Sequence, residues 1–209
     1  DMILNAQMDY YGTCLATCSS DRSIRIFNVH NGGQILIGDL RGHEDPVWKV
    51  AWAHSLLIVQ LSVQKPNCIK KFASSGCDNL IKLWKEEETS QQKKQKLHVH
   101  SDWVQDVAWA LSIILLTSTI TSSSQDGHMF IWTHDDASGN MWLLKLLHKF
   151  NDVWHVSWSI TANILPFSGR NNKEALRKEY INGQWVCTSD VNKAQDSVPS
   201  SITADEQNE

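Results

Sequence analysis

The sequence repeats itself most clearly in HEDPVWKVAW at residues 43–52 and in HSDWVQDVAW at residues 100–109. Both stretches begin with a histidine and end with a tryptophan nine positions later, and a shortened form, NDVWHVSW, occupies residues 151–158. The residues before each final tryptophan alternate with the period of two that a β-strand has. The pattern predicts a recurring β-strand that ends in tryptophan.

A second pattern recurs between these stretches: small residues, an aspartate, and an alternating apolar run. In each copy the aspartate precedes an aromatic residue by six positions, as in Asp21 and Phe27, Asp78 and Trp84, and Asp126 and Trp132. A fourth copy, from Gly169 to Arg177, keeps the spacing but has lost the acid and the aromatic residue. A repeat of about 40–45 residues with a histidine turn, a tryptophan strand and an aspartate turn is typical of a propeller blade.

These motifs resemble the repeats of the WD-repeat family. We therefore predict an all-β fold, an incomplete WD-repeat β-propeller of about four blades with a degenerate last blade. The expected domain covers residues 1–188, with blades at about 1–39, 40–96, 97–145 and 146–188. Residues 189–209 are rich in Ser, Asp and Gln and contain no aromatic residue, so we expect a disordered tail.

The recurring residues are assigned a structural role, because they occur once per repeat whereas a catalytic constellation normally occurs once. Each turn aspartate is expected to accept hydrogen bonds from backbone N–H groups and from the histidine of the preceding loop. We expect this network to be thin, because Ala51 and Ala108 stand where Ser or Thr is common and only Ser157 matches. The structural positions are Asp21, Phe27, His43, Trp52, Asp78, Trp84, His100, Trp109, Asp126, Trp132 and Trp158.

Composition excludes several classes of function. With 19 Lys+Arg against 23 Asp+Glu, the net charge of −4 gives no basic footprint for nucleic acid. The apolar runs are too short to span a bilayer, so no membrane insertion is expected. Residue 1 is Asp and no apolar leader follows, so we expect no signal peptide and interpret the sequence as a fragment.

We also expect no metal, cofactor or small-molecule substrate. The five cysteines include no C-x-x-C pair, which favours reduced thiols over a zinc site or a disulfide framework. The histidine pairs His98/His100 and His148/His155 lack further ligands at metal-binding spacing and are interpreted as exposed loop or turn residues. The charged residues 85–88 and 93–96 are interpreted as a solvated loop between blades.

More narrowly, the chain resembles the propeller subunits of the COPII outer coat, a family of subunits that also occurs in the nuclear pore scaffold. The resemblance runs through residues 6–12, 15–27, 31–52, 72–87, 100–110, 122–132 and 146–163. That family has six blades, so about two blades are missing here, at a junction between Ala53-His54 and Gln64-Lys65-Pro66. In the last blade we expect Pro166, Arg170, Asn171, Glu174 and Arg177 to disrupt the strands and the buried face. Low stability follows from both departures.

The resemblance implies a non-enzymatic scaffold in transport from the endoplasmic reticulum to the Golgi, located in the cytoplasm, on the reticulum membrane and its vesicles, or at the nuclear pore. Its partner is an α-solenoid subunit that completes the propeller by strand addition. The candidate binding edge is formed by Met2, Leu4, Ala6 and Met8, against the last blade at about residues 164–185. Three alternatives remain open: a non-functional product of a decayed gene copy, a generic WD-repeat adaptor, and a propeller enzyme. Trp48 and Trp103 are compatible with partner contact or with packing between blades.

Overall fold

The computed structural model describes residues 1–53, 71–86, 92–111, 117–135, 141–149, 153–169, 173–178 and 184–187. These residues form sixteen β-strands in four antiparallel sheets of four. Within these ranges no helix is long and apolar enough to cross a membrane. The predicted all-β fold is therefore confirmed. The predicted junction near residues 54–66 and the predicted tail at 189–209 lie outside the described residues.

Each sheet is a meander whose strands pair in chain order. The first sheet contains β1 (Ile3–Met8), β2 (Cys14–Ser19), β3 (Ser23–His30) and β4 (Gly33–Arg41). The second contains β5 (Val47–Trp52), β6 (Lys71–Gly76), β7 (Leu80–Glu86) and β8 (Gln92–His98). The third contains β9 (Val104–Trp109), β10 (Thr117–Ser124), β11 (His128–Asp135) and β12 (Trp142–Lys149). The fourth contains β13 (His155–Val156), β14 (Ile164–Ser168), β15 (Lys173–Lys178) and β16 (Trp185–Cys187).

The sheets stack face to face in chain order. Their first strands contact one another, β1 with β5, β5 with β9 and β9 with β13, so we call β1, β5, β9 and β13 the inner strands. We call the last strands, β4, β8, β12 and β16, the outer strands. This arrangement of four-stranded sheets around inner strands is consistent with the predicted propeller.

Apolar side chains that alternate along the strands fill the three spaces between the sheets. Between the first and second sheets lie Cys14, Ala16, Cys18, Ile24, Ile26, Leu40, Val47, Val50, Trp52, Phe72 and Trp84. The next cluster joins the second and third sheets and includes Val104, Trp109, Ile120 and Trp132. The last includes Met129, Val156, Leu165 and Phe167. Burial of these faces is the main favourable term that holds the sheets together.

The turn between the second and third strands is built in the same way in three sheets. The residue after each turn aspartate has a positive φ: Arg22 at 70°, Asn79 at 61° and Gly127 at 79°. The aspartate carboxylate then accepts the backbone N–H two positions on, at 2.9 Å from Ser23 and 2.8 Å from His128. The aspartates of the repeat therefore shape the hairpins themselves.

Two expectations about local structure were wrong. Pro166 does not break its strand: it lies exposed in β14 between the buried Leu165 and Phe167, and its carbonyl accepts a 3.0 Å bond from the Ser157 N–H. A proline that points away from the core removes a donor without disturbing the buried face.

The second error concerns the charged segments. Lys85 lies in β7 and residues 93–96 lie in β8, so these residues are paired strand residues and not a loop. The other positions expected to disrupt the last blade, Arg170 and Asn171, lie outside the described residues, as do the side chains of Glu174 and Arg177.

Replacing Gly127 by alanine is expected to lower the free energy of unfolding by about 1–2 kcal/mol, because a Cβ at its left-handed φ is strained. The matched control is Gly33→Ala in the first sheet. There the φ is not in the left-handed range, and an added Cβ would meet the His30 carbonyl oxygen at an ordinary 3.5 Å. Urea unfolding followed by tryptophan fluorescence measures both variants. Equal losses in the two variants would contradict the turn geometry.

Candidate functional site

A buried chain of hydrogen bonds crosses the second sheet from the Trp84 indole to the Asp78 carboxylate. The Trp84 Nε1–H donates to the Ser74 hydroxyl at 2.8 Å, and Ser74 lies 2.7 Å from Nε2 of His43. Nδ1 of His43 lies 2.9 Å from both carboxylate oxygens of Asp78. A neutral imidazole with its proton on Nδ1 satisfies every member of the chain.

The third sheet repeats the same chain. The Trp132 indole donates to Ser122 at 3.0 Å, Ser122 lies 2.8 Å from Nε2 of His100, and Nδ1 of His100 lies 3.2 Å from Asp126. The expectation of exposed histidines was therefore wrong for His100, which is buried.

The expectation of a thin network was also wrong. The hydroxyl comes from the second strand of each sheet, four residues before the turn aspartate, and not from the inner strand that carries Ala51 and Ala108. Sequence reasoning missed Ser74 and Ser122, although the shared spacing of four residues to Asp78 and Asp126 could have revealed them.

The outer two sheets of the stack are built differently. In the first sheet Asp21 accepts hydrogen bonds from the Ser23 hydroxyl at 2.5 Å and from Arg25 at 3.1 Å. These bonds lower the pKa of Asp21 to about 2, and the bond from Ser23 has the largest effect. In the fourth sheet Phe167 stands in the register position of Ser74 and Ser122 and is buried in the apolar core. The fourth sheet thus relies on apolar packing where the second and third use a hydroxyl.

The second sheet adds a buried cation to its network. The Lys82 ammonium is fully buried and donates to Asp78 and to the Gly42 carbonyl, each at 2.6 Å. Burial alone would raise the pKa of Asp78, but the hydrogen bonds from His43 and Lys82 outweigh it and hold the pKa well below its usual range. In the third sheet the position of Lys82 is occupied by Phe130, four residues after Asp126.

These networks offer no reacting group to a ligand. The side chains of His43 and Asp78 are almost completely buried, and their polar atoms are bonded to each other and to Ser74 and Lys82. In the part of the chain that the structure describes, no group of three or more His, Cys, Asp and Glu residues could hold a metal ion. The geometry is that of a structural network.

Polar contacts also tie neighbouring sheets together. The indole N–H of Trp52 donates to the Gln7 carbonyl of the preceding sheet at 2.9 Å, and that of Trp158 donates to the Ala108 carbonyl at 3.3 Å. Trp109 is buried between the second and third sheets. The sequence predicted these three tryptophans as structural, and the structure places them at the contacts between sheets.

The Asp106 carboxylate, which sequence reasoning did not single out, bridges three inner strands. It lies 2.5 Å from Nδ1 of His155 in β13 and 3.5 Å from the Lys49 ammonium in β5, and it accepts the Val156 N–H at 3.0 Å. The hydrogen bond with Asp106 raises the pKa of His155. A charged His155 is therefore favoured beside this carboxylate.

Trp48 and Trp103 meet between the second and third sheets. Their ring centroids are 6.2 Å apart, and the Trp48 indole donates to the Cys77 sulfur at 2.5 Å. Trp103 is still 44% exposed. Packing between sheets accounts for this contact, while one ring remains open to solvent.

Of the predicted binding residues, Ala6 and Met8 lie on the surface of the first sheet that faces away from the second. Asn5 and Gln7 bond to β5, so the alternate residues Ala6 and Met8 point to the opposite face, whereas Leu4 lies at the β-bulge between Ile3 and Asn5. On that face the strand register places Met8, Leu15, Phe27 and Leu36 in one apolar row across all four strands. We call the surface formed by Ala6, Met8, Leu15, Phe27 and Leu36 the free face.

The backbone edge of β1 is less open than the free face. The Gln7 carbonyl on this strand already accepts the Trp52 indole N–H, whereas the bonds of Met2 with Ser20, at 2.9 Å and 3.0 Å, continue the pairing of β1 with β2. By contrast, Met8 is 42% exposed and Leu36 is 51% exposed. The face of the first sheet, more than its edge, is the surface available to a partner.

Asp78→Asn is expected to lower the free energy of unfolding by about 3–5 kcal/mol, because it leaves the buried Lys82 without its carboxylate. Asp126→Asn, the matched change in the third sheet, should cost only about 1–3 kcal/mol, because Phe130 stands where the cation would be. Adding Lys82→Met to Asp78→Asn should recover part of the loss. Urea unfolding measures all three, and equal losses for the two single variants would contradict the role given to Lys82.

Stability is expected to fall in two stages as the pH is lowered. Burial lowers the pKa of His100, so the unfolded state binds a proton first and stability declines below about pH 6.5. The lowered pKa values of Asp78 and Asp126 give stability that is present above about pH 3.9 and is lost as the pH falls further. His155, whose pKa is raised, acts in the opposite sense. The stability that it contributes is fully present below about pH 6.5 and is lost as the pH rises through its folded-state pKa.

The measurement is the urea midpoint at a series of pH values from about 8 to 3. His155→Gln serves as the control, because it should remove only the loss of stability on the alkaline side. A midpoint that stays constant between about pH 7 and 5 in this variant would show that His100 is not held neutral in the folded protein.

Comparison with known proteins agrees with this architecture. The family described as "WD domain, G-beta repeat" matches residues 3–28 and 34–85. The chain is 51% identical to the rat protein named "Protein SEC13 homolog" and 49% identical to the human protein of that name, in each case over 308 aligned positions that cover 100% of this chain and 96% of the relative. It is 29% identical to the "Protein transport protein SEC13" of Chaetomium thermophilum, with 91% of this chain and 94% of the relative covered.

The alignments with the mammalian relatives are much longer than the 209 residues of this chain. They therefore contain positions at which the relative has a residue and this chain has none. The alignment nevertheless covers the whole chain. The chain belongs to the SEC13 family of WD-repeat proteins.

Proposed function

We propose that the chain is a non-enzymatic scaffold subunit of the COPII vesicle coat, acting in protein transport from the endoplasmic reticulum to the Golgi on the cytosolic side of the reticulum membrane. The observation that carries the proposal is the 51% identity over the full chain to a SEC13 homologue. The buried networks support a structural role, because their histidines and carboxylates are occupied by each other. A role in the nuclear pore scaffold stays a prediction.

The partner in this proposal is an α-solenoid subunit of the coat that supplies strands to the free face. Met8, Leu15, Phe27 and Leu36 form a continuous apolar row there, with the alternate residues of the same strands already packed on the second sheet. A sheet with one packed and one open apolar face is stabilised when a further sheet covers it. In this proposal the partner packs on the face of the first sheet, instead of adding a strand to the edge of β1.

The free face also carries polar groups that fix how a sheet could pack on it. In the adjacent row of the register, Ala6, Thr17, Arg25 and Asp39 follow one another across the strands. Arg25 is held by Asp21 at 3.1 Å, so its guanidinium is oriented before any partner binds. Apolar contact then supplies affinity, and this polar row supplies choice of partner.

Mutation of the free face tests the proposal. The double variant Met8→Glu with Leu36→Glu is expected to weaken binding to the α-solenoid subunit at least about tenfold, because two charges would be buried without partners. The control is Ile160→Glu, which changes an exposed residue in the turn after β13 in the fourth sheet. Calorimetric titration of the full chain with the purified subunit measures the dissociation constants.

Each outcome separates the hypotheses. Binding by the unchanged chain and the control, but not by the double variant, would support packing on the free face. Tight binding that survives both glutamates would overturn this mode of contact. No binding by the unchanged chain would favour the product of a decayed gene copy.

A further inference from the structure

Among the described strands each of the four outer strands has one edge that no other strand pairs with, and the four differ in how that edge is protected. Native sheets usually shield such edges with lysines or by keeping the edge strand short. In β8 (Gln92–His98) three of the seven residues are lysines, Lys93, Lys94 and Lys96. The outer strand of the fourth sheet, β16, has only three residues. Both therefore carry a recognisable form of protection.

The outer strand of the third sheet, β12 (Trp142–Lys149), is less protected along most of its length, because Lys145 is the one charged residue between Trp142 and Leu147 and Lys149 stands at its end. Residues 141–147 read MWLLKLL, with one charged residue, Lys145, among six apolar ones. Met141 is 78% exposed and Leu143 is 68% exposed, and Leu144 and Leu146 are also exposed. Among the described residues β12 pairs with β11 on one side, and no strand pairs with its other edge. A long apolar edge of this kind is a template for pairing with another strand.

We propose that two copies of the chain associate through antiparallel pairing of β12 with β12 about a two-fold axis at Leu144. The register then places Met141 opposite Leu147, Trp142 opposite Leu146, and Leu144 opposite its own copy. Lys145 falls opposite Leu143, so the two lysines do not face each other. The contact is isologous, which is the commonest symmetry of soluble oligomers.

The charge pattern selects this register. Moving the two-fold axis by one residue, to Lys145, would put the two ammonium groups directly opposite each other, which destabilises a strand pair. Moving it to Leu143 would place Lys145 opposite Met141 and shorten the apolar overlap. The axis at Leu144 retains the apolar pairs of Met141 with Leu147, Trp142 with Leu146 and Leu144 with its own copy. It also keeps the two Lys145 ammonium groups from facing each other.

The other apolar outer strand, β4 (Gly33–Arg41), is a weaker candidate. Its exposed apolar residues are limited to Ile35, Leu36 and Ile37, flanked by glycines and followed by Asp39 and Arg41. Pairing of β4 with β12 of another copy would be heterologous and would form open chains instead of dimers. The sizes of the assemblies therefore distinguish the two possibilities.

A pair of opposite charges at the axis tests the proposal. Leu144→Lys is expected to weaken self-association of the full chain at least about tenfold, and Leu144→Glu likewise, because each places like charges face to face. Mixing the two variants should restore the dimer, because lysine then faces glutamate. The control is Ile160→Lys, at an exposed residue in the turn after β13, which should leave the dimer unchanged. Sedimentation velocity over a range of protein concentrations measures association.

The outcomes decide the proposal. A monomer at all concentrations, or a dimer that survives both Leu144 variants, would overturn it. Open chains that Leu36→Lys abolishes would show pairing of β4 with β12 instead. Near-ultraviolet circular dichroism of the tryptophans checks that each variant is folded, and Leu144→Thr provides a milder change if a charged variant does not fold. Restoration by mixing requires residue 144 to face its own copy.

Discussion

A carboxylate buried in a tight turn is the group on which the second and third sheets depend. Each accepts the backbone N–H that forms the turn, then a histidine from the loop before the inner strand, and through it a hydroxyl and an indole. Buried polar groups are stabilising only when every one of them is paired. Because the chain of bonds links the loop before the inner strand to the second and third strands, loss of the carboxylate would leave several buried groups unpaired at once.

Much of the fold could be predicted from the sequence because this network recurs. The aspartates at 21, 78 and 126 and the aromatic residues six positions later identified the hairpins and the all-β architecture. The hydroxyl partners were not predicted, because a hydroxyl was expected on the inner strand, where Ala51 and Ala108 lie. The hydroxyls instead face the histidines from β6 and β10. Register between strands, which decides this, is not visible in one strand's pattern.

The candidate binding surface was predicted less completely. Alternation in β1 groups Ala6 and Met8 on one side, but a strand seen alone does not reveal whether its edge or its face is open. That distinction depends on the Trp52 indole, which reaches the Gln7 carbonyl from a sheet 45 residues further along the chain. The row from Met8 to Leu36 likewise exists only through pairings among four strands. Long-range contacts of this kind carry the information that a local pattern lacks.

The tryptophans near the ends of the inner strands give the stack of sheets a direction. Trp52 and Trp158 each donate to the sheet before them, at Gln7 and Ala108. In the first sheet the register position of Trp52 is held by Met8, a side chain with no N–H to donate. At this position the first sheet therefore offers an added sheet apolar contact and no indole donor. In the fourth sheet the equivalent of the accepting residues Gln7 and Ala108 is Ser157. The first and fourth sheets therefore present chemically different faces to an added sheet.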